Sequence, residues 1–263
     1  MTHRFADRVT ATVEAGVAEI GLSRPDRHNG LDWAMIDGLL EAQRWLTGLS
    51  GLRAVVLRGE GPSFCAGLDM AAILAAPERL PGLLEAGEDG RNPVQRLALG
   101  WRDAGAPVIA ALQGHVYGGG LQIALGADLR LVHPEASLAL LELDWGIIPD
   151  MGISVSGAGL RPDTLRELAW SGRRVGGEEA VALGLATRLA ERPEAAAAEL
   201  AATIAARSPR AVAAFDTLLR RASGLDEHER LALEARLQGQ LLGGEEQREA
   251  VAARLAGRAP RFP

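Results

Sequence analysis

The sequence predicts an α/β fold that gives way to a helical C-terminal region, and three observations carry this. Short apolar runs at residues 53–57, 107–112 and 128–132 alternate with segments of helical period, the pattern of parallel βαβ units. The chain opens on two segments of alternating apolar and polar residues, 8–14 (RVTATVE) and 17–22 (VAEIGL). Beyond about Pro162, helical periods replace strands almost completely. The division is placed at 1–195 for the α/β core and 196–263 for the helical region.

Taken in order, Ala15 and Gly16 read as a hairpin turn between the first two strands, and residues 23–30 (SRPDRHNG) as a loop. Apolar positions at Leu31, Met35, Ile36, Leu39, Leu40, Trp45 and Leu46 predict a helix over 31–49. The strand at 53–57 (RAVVL) runs into a loop. The polar, Gly/Pro-rich stretch 77–92 is the best candidate for a mobile segment. A helix is predicted over 92–104, a buried strand over 107–112, a helix from a glycine run at 119–126, and a strand over 128–132. Helices then follow at 163–171, 177–183, 194–207, 209–221, 226–242 and 244–257, with one short strand near 185–189.

Composition narrows the chemistry. The 263 residues carry a net charge of −6, which disfavours a general nucleic-acid binder. No apolar run is long enough to span a membrane. The opening MTHRFADRVT has no apolar leader region, so a cytoplasmic location is expected. The single cysteine makes neither an internal disulfide nor a Cys-rich metal site. The chain contains no lysine; all 28 basic residues are arginine. That excludes Walker-A phosphate loops, pyridoxal Schiff bases, lysine aldolases and biotin carriers.

Three segments carry residues suited to catalysis. Residues 59–70 (GEGPSFCAGLDM) form a strand-to-helix turn of small residues, where amides can face a carbonyl oxygen. Residues 113–122 (QGHVYGGGLQ) place three glycines at a helix start, exposing N–H donors at a positive dipole end. Their spacing does not fit the G-x-G-x-x-G dinucleotide loop. Residues 137–152 (SLALLELDWGIIPDMG) set Glu142 and Asp150 in apolar surroundings, where a carboxylate pKa rises towards neutrality. Each has a plainer reading: Glu142 pairs with an arginine, and Asp150 caps a helix starting near Met151. Trp145 either lines an acyl pocket or fills the core. His115 reads as a packed residue near a helix start, and Ser154 and Ser156 form no nucleophile elbow.

In this order and spacing, FCAGLD, QGHVYGGG and a Glu followed by GIIP resemble the crotonase superfamily, the enoyl-CoA hydratase/isomerase family. Residues 23–31 (SRPDRHNGL) are similar to its R-P-x-x-x-N-x-L segment, and residues 170–189 to its T-G-x-x-x-x-A-x-x-x-G-L-V segment. The likeness runs from about Val9 to Gly257. It implies a spiral of ββα units, a C-terminal helical trimerisation region, and a homotrimer or dimer of trimers. The apolar stripe Leu231, Leu233, Leu237, Leu241, Leu242, Val251 and Leu255 agrees with such an interface. The resemblance also implies an acyl-CoA substrate, coenzyme A being part of the substrate, with no other cofactor and no metal. The thioester oxygen is expected between the amides of Ala66 and Gly119, with Glu142 and Asp150 as catalytic carboxylates. Cys65, Gly67, Leu68, Gly118, Gln122 and Trp145 are expected to bind substrate. Arg24 and Arg27 fall where the family holds the adenine and phosphates, a charge-assisted contact or a solvated surface.

One departure shapes the expected reaction. Hydratases of this family use two glutamates, and the first falls on Gln122, which exchanges no proton. A double-bond isomerase working through Glu142 is therefore the leading expectation. Hydration with Gln122 positioning water, or a weakened acyl-CoA binding protein, are the alternatives.

Overall fold

In the computed structural model, which describes residues 2–263, the chain folds in order as β1 (His3–Phe5), β2 (Val9–Glu14), β3 (Val17–Leu22), α1 (Trp33–Thr47), β4 (Ala54–Gly59), α2 (Met70–Leu74) and α3 (Pro93–Leu99). Then come β5 (Val108–Leu112), β6 (His115–Tyr117), α4 (Gly119–Gly126), β7 (Leu129–Val132), β8 (Ser137–Ala139), α5 (Ile153–Ser156) and α6 (Pro162–Ser171). The last are β9 (Val175–Gly176), α7 (Gly177–Ala182), β10 (Arg188–Leu189), α8 (Pro193–Ala205), α9 (Pro209–Ala222), α10 (Glu227–Gly239) and α11 (Glu245–Leu255).

Seven strands form one sheet in the order β1-β2-β3-β4-β5-β7-β10. The hairpin edge is antiparallel, and β3 to β10 run parallel. Side chains of these parallel strands alternate between two buried faces, which is why they read as continuous apolar runs. Val55, Leu57, Val108, Ala110 and Leu112 face the main core with α1. Ala54, Val56, Ile109, Ala111 and Leu131 face Ala197 and Ala201 of α8. Truncating a fully buried leucine such as Leu57 to alanine would cost about 2–5 kcal/mol. The boundary expected at 195/196 cuts through α8, whose buried alanines form the second face of this sheet.

A second sheet, β6-β8-β9, positions the site. Its strands have two or three residues each, too short for the period-two pattern to emerge from the sequence, and all three escaped sequence analysis, as did β1. The loop between β4 and α2 lies along β6: the Cys65 amide donates to the His115 carbonyl, and the Tyr117 amide donates to the Cys65 carbonyl. This contact brings two turns distant in sequence side by side. The stretch 77–92 carries short 3₁₀ turns at Pro77–Arg79 and Pro81–Leu83. The C-terminal helices α9 to α11 extend from the core, and Arg220 of α9 pairs with Asp128 at 2.7 Å.

Candidate active site

The two side-by-side turns depend on glycine. Gly67 has φ of +88°, and a Cβ there would lie 2.8 Å from the Tyr117 carbonyl oxygen and 3.6 Å from the Gly119 nitrogen. Gly118 has φ of 50° and ψ of −120°, which side chains at Cβ disfavour, and it starts α4 as its N-cap. With these glycines the backbones approach closely, and Leu68 and Gly119 line one cavity of about 600 Å³. The amide of Gly119, at the first position of α4, has no protein acceptor among the described residues. The Leu68 amide has none either, because the neighbouring bonds run from the Leu31 amide to the Gly67 carbonyl and from the Asp69 amide to the Leu31 carbonyl.

Ala66, expected as the first carbonyl-binding amide, does not fill that role. Its N–H donates to the His28 carbonyl at 2.9 Å, and it does not line the cavity. Sequence spacing located the turn and missed by two residues which amide is left free.

Glu142 follows β8 and opens a short 3₁₀ turn, Glu142–Trp145. It is 6% exposed and lines the cavity. No arginine pairs with it. Its Oε1 accepts a bond from Gln122 Nε2 at 2.7 Å, while its buried Oε2 has no partner. Gln122 is held at its other end, where Oε1 accepts the Met151 amide at 2.9 Å. That second bond fixes the amide orientation, so Gln122 presents donors to Glu142. Burial pushes the Glu142 carboxyl above the ordinary range, against the pull of its amide partners, and the charge of Asp150 pushes it further.

Asp150 lines the same cavity, half-buried, and burial raises its pKa also. The helix-cap reading fails: α5 begins at Ile153, Gly152 is its N-cap, and no side chain caps it. The turn that carries Asp150 is tied to Glu142 through Gln122 and Met151.

Several expected contacts lie elsewhere. Arg24 is paired with Asp32 at 3.3 Å and Asp69 at 2.9 Å, and also donates to the Gly30 carbonyl. Asp32 and Asp69 cap α1 and α2, so Arg24 locks the loop to two helix starts and its charge is spent there. Arg27 is exposed on the same loop and makes no ion pair among the described residues. Cys65 is fully buried beneath the turn, its thiol pushed up to about 12 by burial, and does not reach the cavity. Trp145 is 61% exposed, and the wall beside it is built by Gly146, Ile147 and Ile148. Gly67 and Gly118 shape the walls through backbone approach, and Gln122 reaches the cavity beside Glu142. His115 stacks on Tyr117 and meets His28 at a tilt, outside the cavity.

Most of the cavity wall is aliphatic, and of it sequence analysis named only Leu68 as substrate-binding. Leu80 and Leu83 come from the 3₁₀ turns, and Ile36, Val94 and Leu97 from α1 and α3. Ile36 lay in the helical pattern of 31–49, a signal that reads equally as core.

Two backbone amides without acceptors and a buried carboxylate with one oxygen unpartnered thus belong to residues lining one cavity, groups of the kind that bind a carbonyl oxygen and exchange a proton. The sequence model described as enoyl-CoA hydratase/isomerase matches residues 12–263, and the chain belongs to that family. A carnitinyl-CoA dehydratase of Proteus mirabilis is 35% identical over 222 residues, 83% of this chain and 82% of its own length. The mitochondrial enoyl-CoA hydratase domain-containing protein 2 of Homo sapiens is 31% identical, over 97% of this chain and 88% of its own. The crystal structure of an enoyl-CoA hydratase from Polaromonas sp. JS666 superposes with a TM-score of 0.84 at 27% identity, covering 97% of this chain and 99% of that one. These relatives place the α/β architecture in the crotonase fold.

Proposed function

We propose that the protein is an acyl-CoA enzyme that moves a double bond of an enoyl- or dienoyl-CoA. The thioester oxygen binds between the amides of Leu68 and Gly119, which stabilise an enolate and acidify the α-carbon. Glu142 Oε2 removes the α-proton, the electron pair spreads through the conjugated enolate, and a proton returns further along the acyl chain. Asp150, on another wall of the same cavity, serves shifts that span a longer conjugated system. These steps need only the chain's own groups, and coenzyme A enters as part of the substrate.

One observation carries the reading: the amide of Gln122 is bonded at both ends, to the Met151 amide and to Glu142, and it exchanges no proton. With Oε1 taken by Gln122, the carboxylate oxygen left without a partner is Glu142 Oε2. A hydration reading is favoured by relatives that carry hydratase and dehydratase names. Incubation with crotonyl-CoA and with 3-hexenoyl-CoA, followed by ultraviolet absorbance, separates the two. Gained conjugation on the 3-enoyl substrate supports isomerisation, and lost conjugation on crotonyl-CoA supports hydration. No change on either substrate would leave a weakened acyl-CoA binder.

A further inference from the structure

The cavity continues well beyond the reacting groups. Its lining runs from buried Gly119, Gln122 and Glu142, with half-buried Asp150, to Leu84, 65% exposed, and Ile148, 70% exposed, whose exposure marks the outer end. Between them the wall is leucine, isoleucine, valine and methionine, with no aromatic and no cationic side chain among the lining residues described. Its volume of about 600 Å³ lies in the range that encloses whole drug-sized ligands, far more than a four-carbon acyl group fills.

One side of this outer end is a short strap, residues 76–84, made of two 3₁₀ turns. The strap is fastened from outside. The Arg79 guanidinium sits 4.2 Å from the centre of the Trp33 ring and makes two bonds to Asp37, at 2.8 and 3.1 Å. This anchoring on α1 turns Leu80 and Leu83, flanking or following Arg79, into the cavity.

We infer that the outer end is a tail channel selecting uncharged aliphatic acyl groups longer than four carbons, with Leu80 and Leu83 of the strap as the selecting residues. This rests on the proposed placement of the thioester at the inner end. An aliphatic tail gains by leaving water for such a wall. A tail ending in a carboxylate meets no cation and loses its hydration, with two carboxylates further in. A quaternary ammonium tail finds none of the aromatic faces that recognise such cations.

Saturated acyl-CoAs test this apart from turnover, because they have no double bond to move. Butyryl-, hexanoyl-, octanoyl- and adipoyl-CoA are titrated calorimetrically into the full chain. Each fully buried methylene is worth roughly fourfold in affinity, so the step from butyryl to octanoyl has a ceiling of roughly 250-fold. Octanoyl-CoA is expected to bind at least tenfold tighter than butyryl-CoA, and adipoyl-CoA at least tenfold weaker than hexanoyl-CoA. In Leu80→Ala/Leu83→Ala, octanoyl-CoA loses at least tenfold while butyryl-CoA binds as before. A flat chain-length series overturns the inference, as does adipoyl-CoA binding as tightly as hexanoyl-CoA. Equal weakening of butyryl- and octanoyl-CoA in the variant overturns the role of the two leucines. If no acyl-CoA binds, the thioester placement and the tail channel fall together. A steep series without turnover of any enoyl-CoA removes the isomerase reading alone.

Discussion

Between Val9 and Ala201 the large apolar side chains go mostly inward, onto two faces of one sheet and into a core that also buries Glu142 and Gln122. From Pro209 onward they go mostly outward. Helix α9 buries no residue, and its Phe215 and Leu219, one turn apart, are 62% and 61% exposed. Of the expected stripe, Leu233 is buried while Leu231, Leu242, Val251 and Leu255 stay exposed. These helices bury only a few residues, such as Leu233 and Ala253, and leave most of their large apolar side chains exposed. We expect a division of labour, in which the first region holds the chemistry and the second an assembly surface.

The largest test of that division is Glu142→Gln. The change keeps the shape and the acceptor oxygen facing Gln122 but removes the proton acceptor. Turnover should fall by roughly 10²–10⁴-fold with acyl-CoA binding retained in calorimetry. A variant keeping more than about a third of the wild-type rate would remove Glu142 as the base. In wild type, because the Glu142 carboxyl lies above the ordinary range and must be ionised to act, kcat/KM should fall with acidification at a pH higher than a free carboxylate would set.

Phe215→Ser with Leu219→Ser tests the other region. We expect wild type to self-associate, as a trimer or a dimer of trimers, and each large apolar side chain buried at a subunit contact to contribute about 1.5–3 kcal/mol. The double variant should run at lower mass in light scattering with the far-ultraviolet spectrum of the core unchanged. A monomeric wild type at micromolar concentration would break the comparison at its second half.

Asp150→Asn comes next in size. Since Asp150 caps no helix, the substitution should leave the melting temperature unlowered while the rate on a dienoyl substrate drops by roughly tenfold or more. Unchanged rates on every accepted substrate would mean that Glu142 works alone.

The smallest effect sharpens the account of the core. Glu142 is more easily protonated folded than unfolded, so its ionised form opposes folding near neutrality. That cost fades as pH falls through its folded pKa, and it is absent below the unfolded value of about 4.3. Glu142→Gln should therefore melt higher than wild type at pH 7, by about 2–4 °C if the difference is near 1 kcal/mol, with the gap closing towards pH 4. A lower melting temperature at pH 7 would show that the Gln122 bond outweighs the burial cost.

By itself the sequence determined the large elements and the positions of the chemistry. The parallel strands were legible because burial on both faces leaves continuous apolar runs, and Glu142, Asp150 and Gly119 were legible as carboxylates in apolar surroundings and a bare helix start. Tertiary structure decided which groups are free to act. Whether Ala66 or Leu68 offers its amide depends on a carbonyl at His28, thirty-eight positions before Ala66, and a backbone N–H has no letter of its own in the sequence. Arg24 carries a charge suited to phosphate, but Asp32 and Asp69 reach it first. Gln122 could hold a water until the Met151 amide fixes which way its own amide points. The leucines of 76–84 have no periodic pattern to declare a wall, and they become one because Arg79 lands on Trp33 and on Asp37, forty-two positions earlier. Spacing along the chain encodes local conformation, whereas the partner that consumes or spares a polar group is set by packing across it.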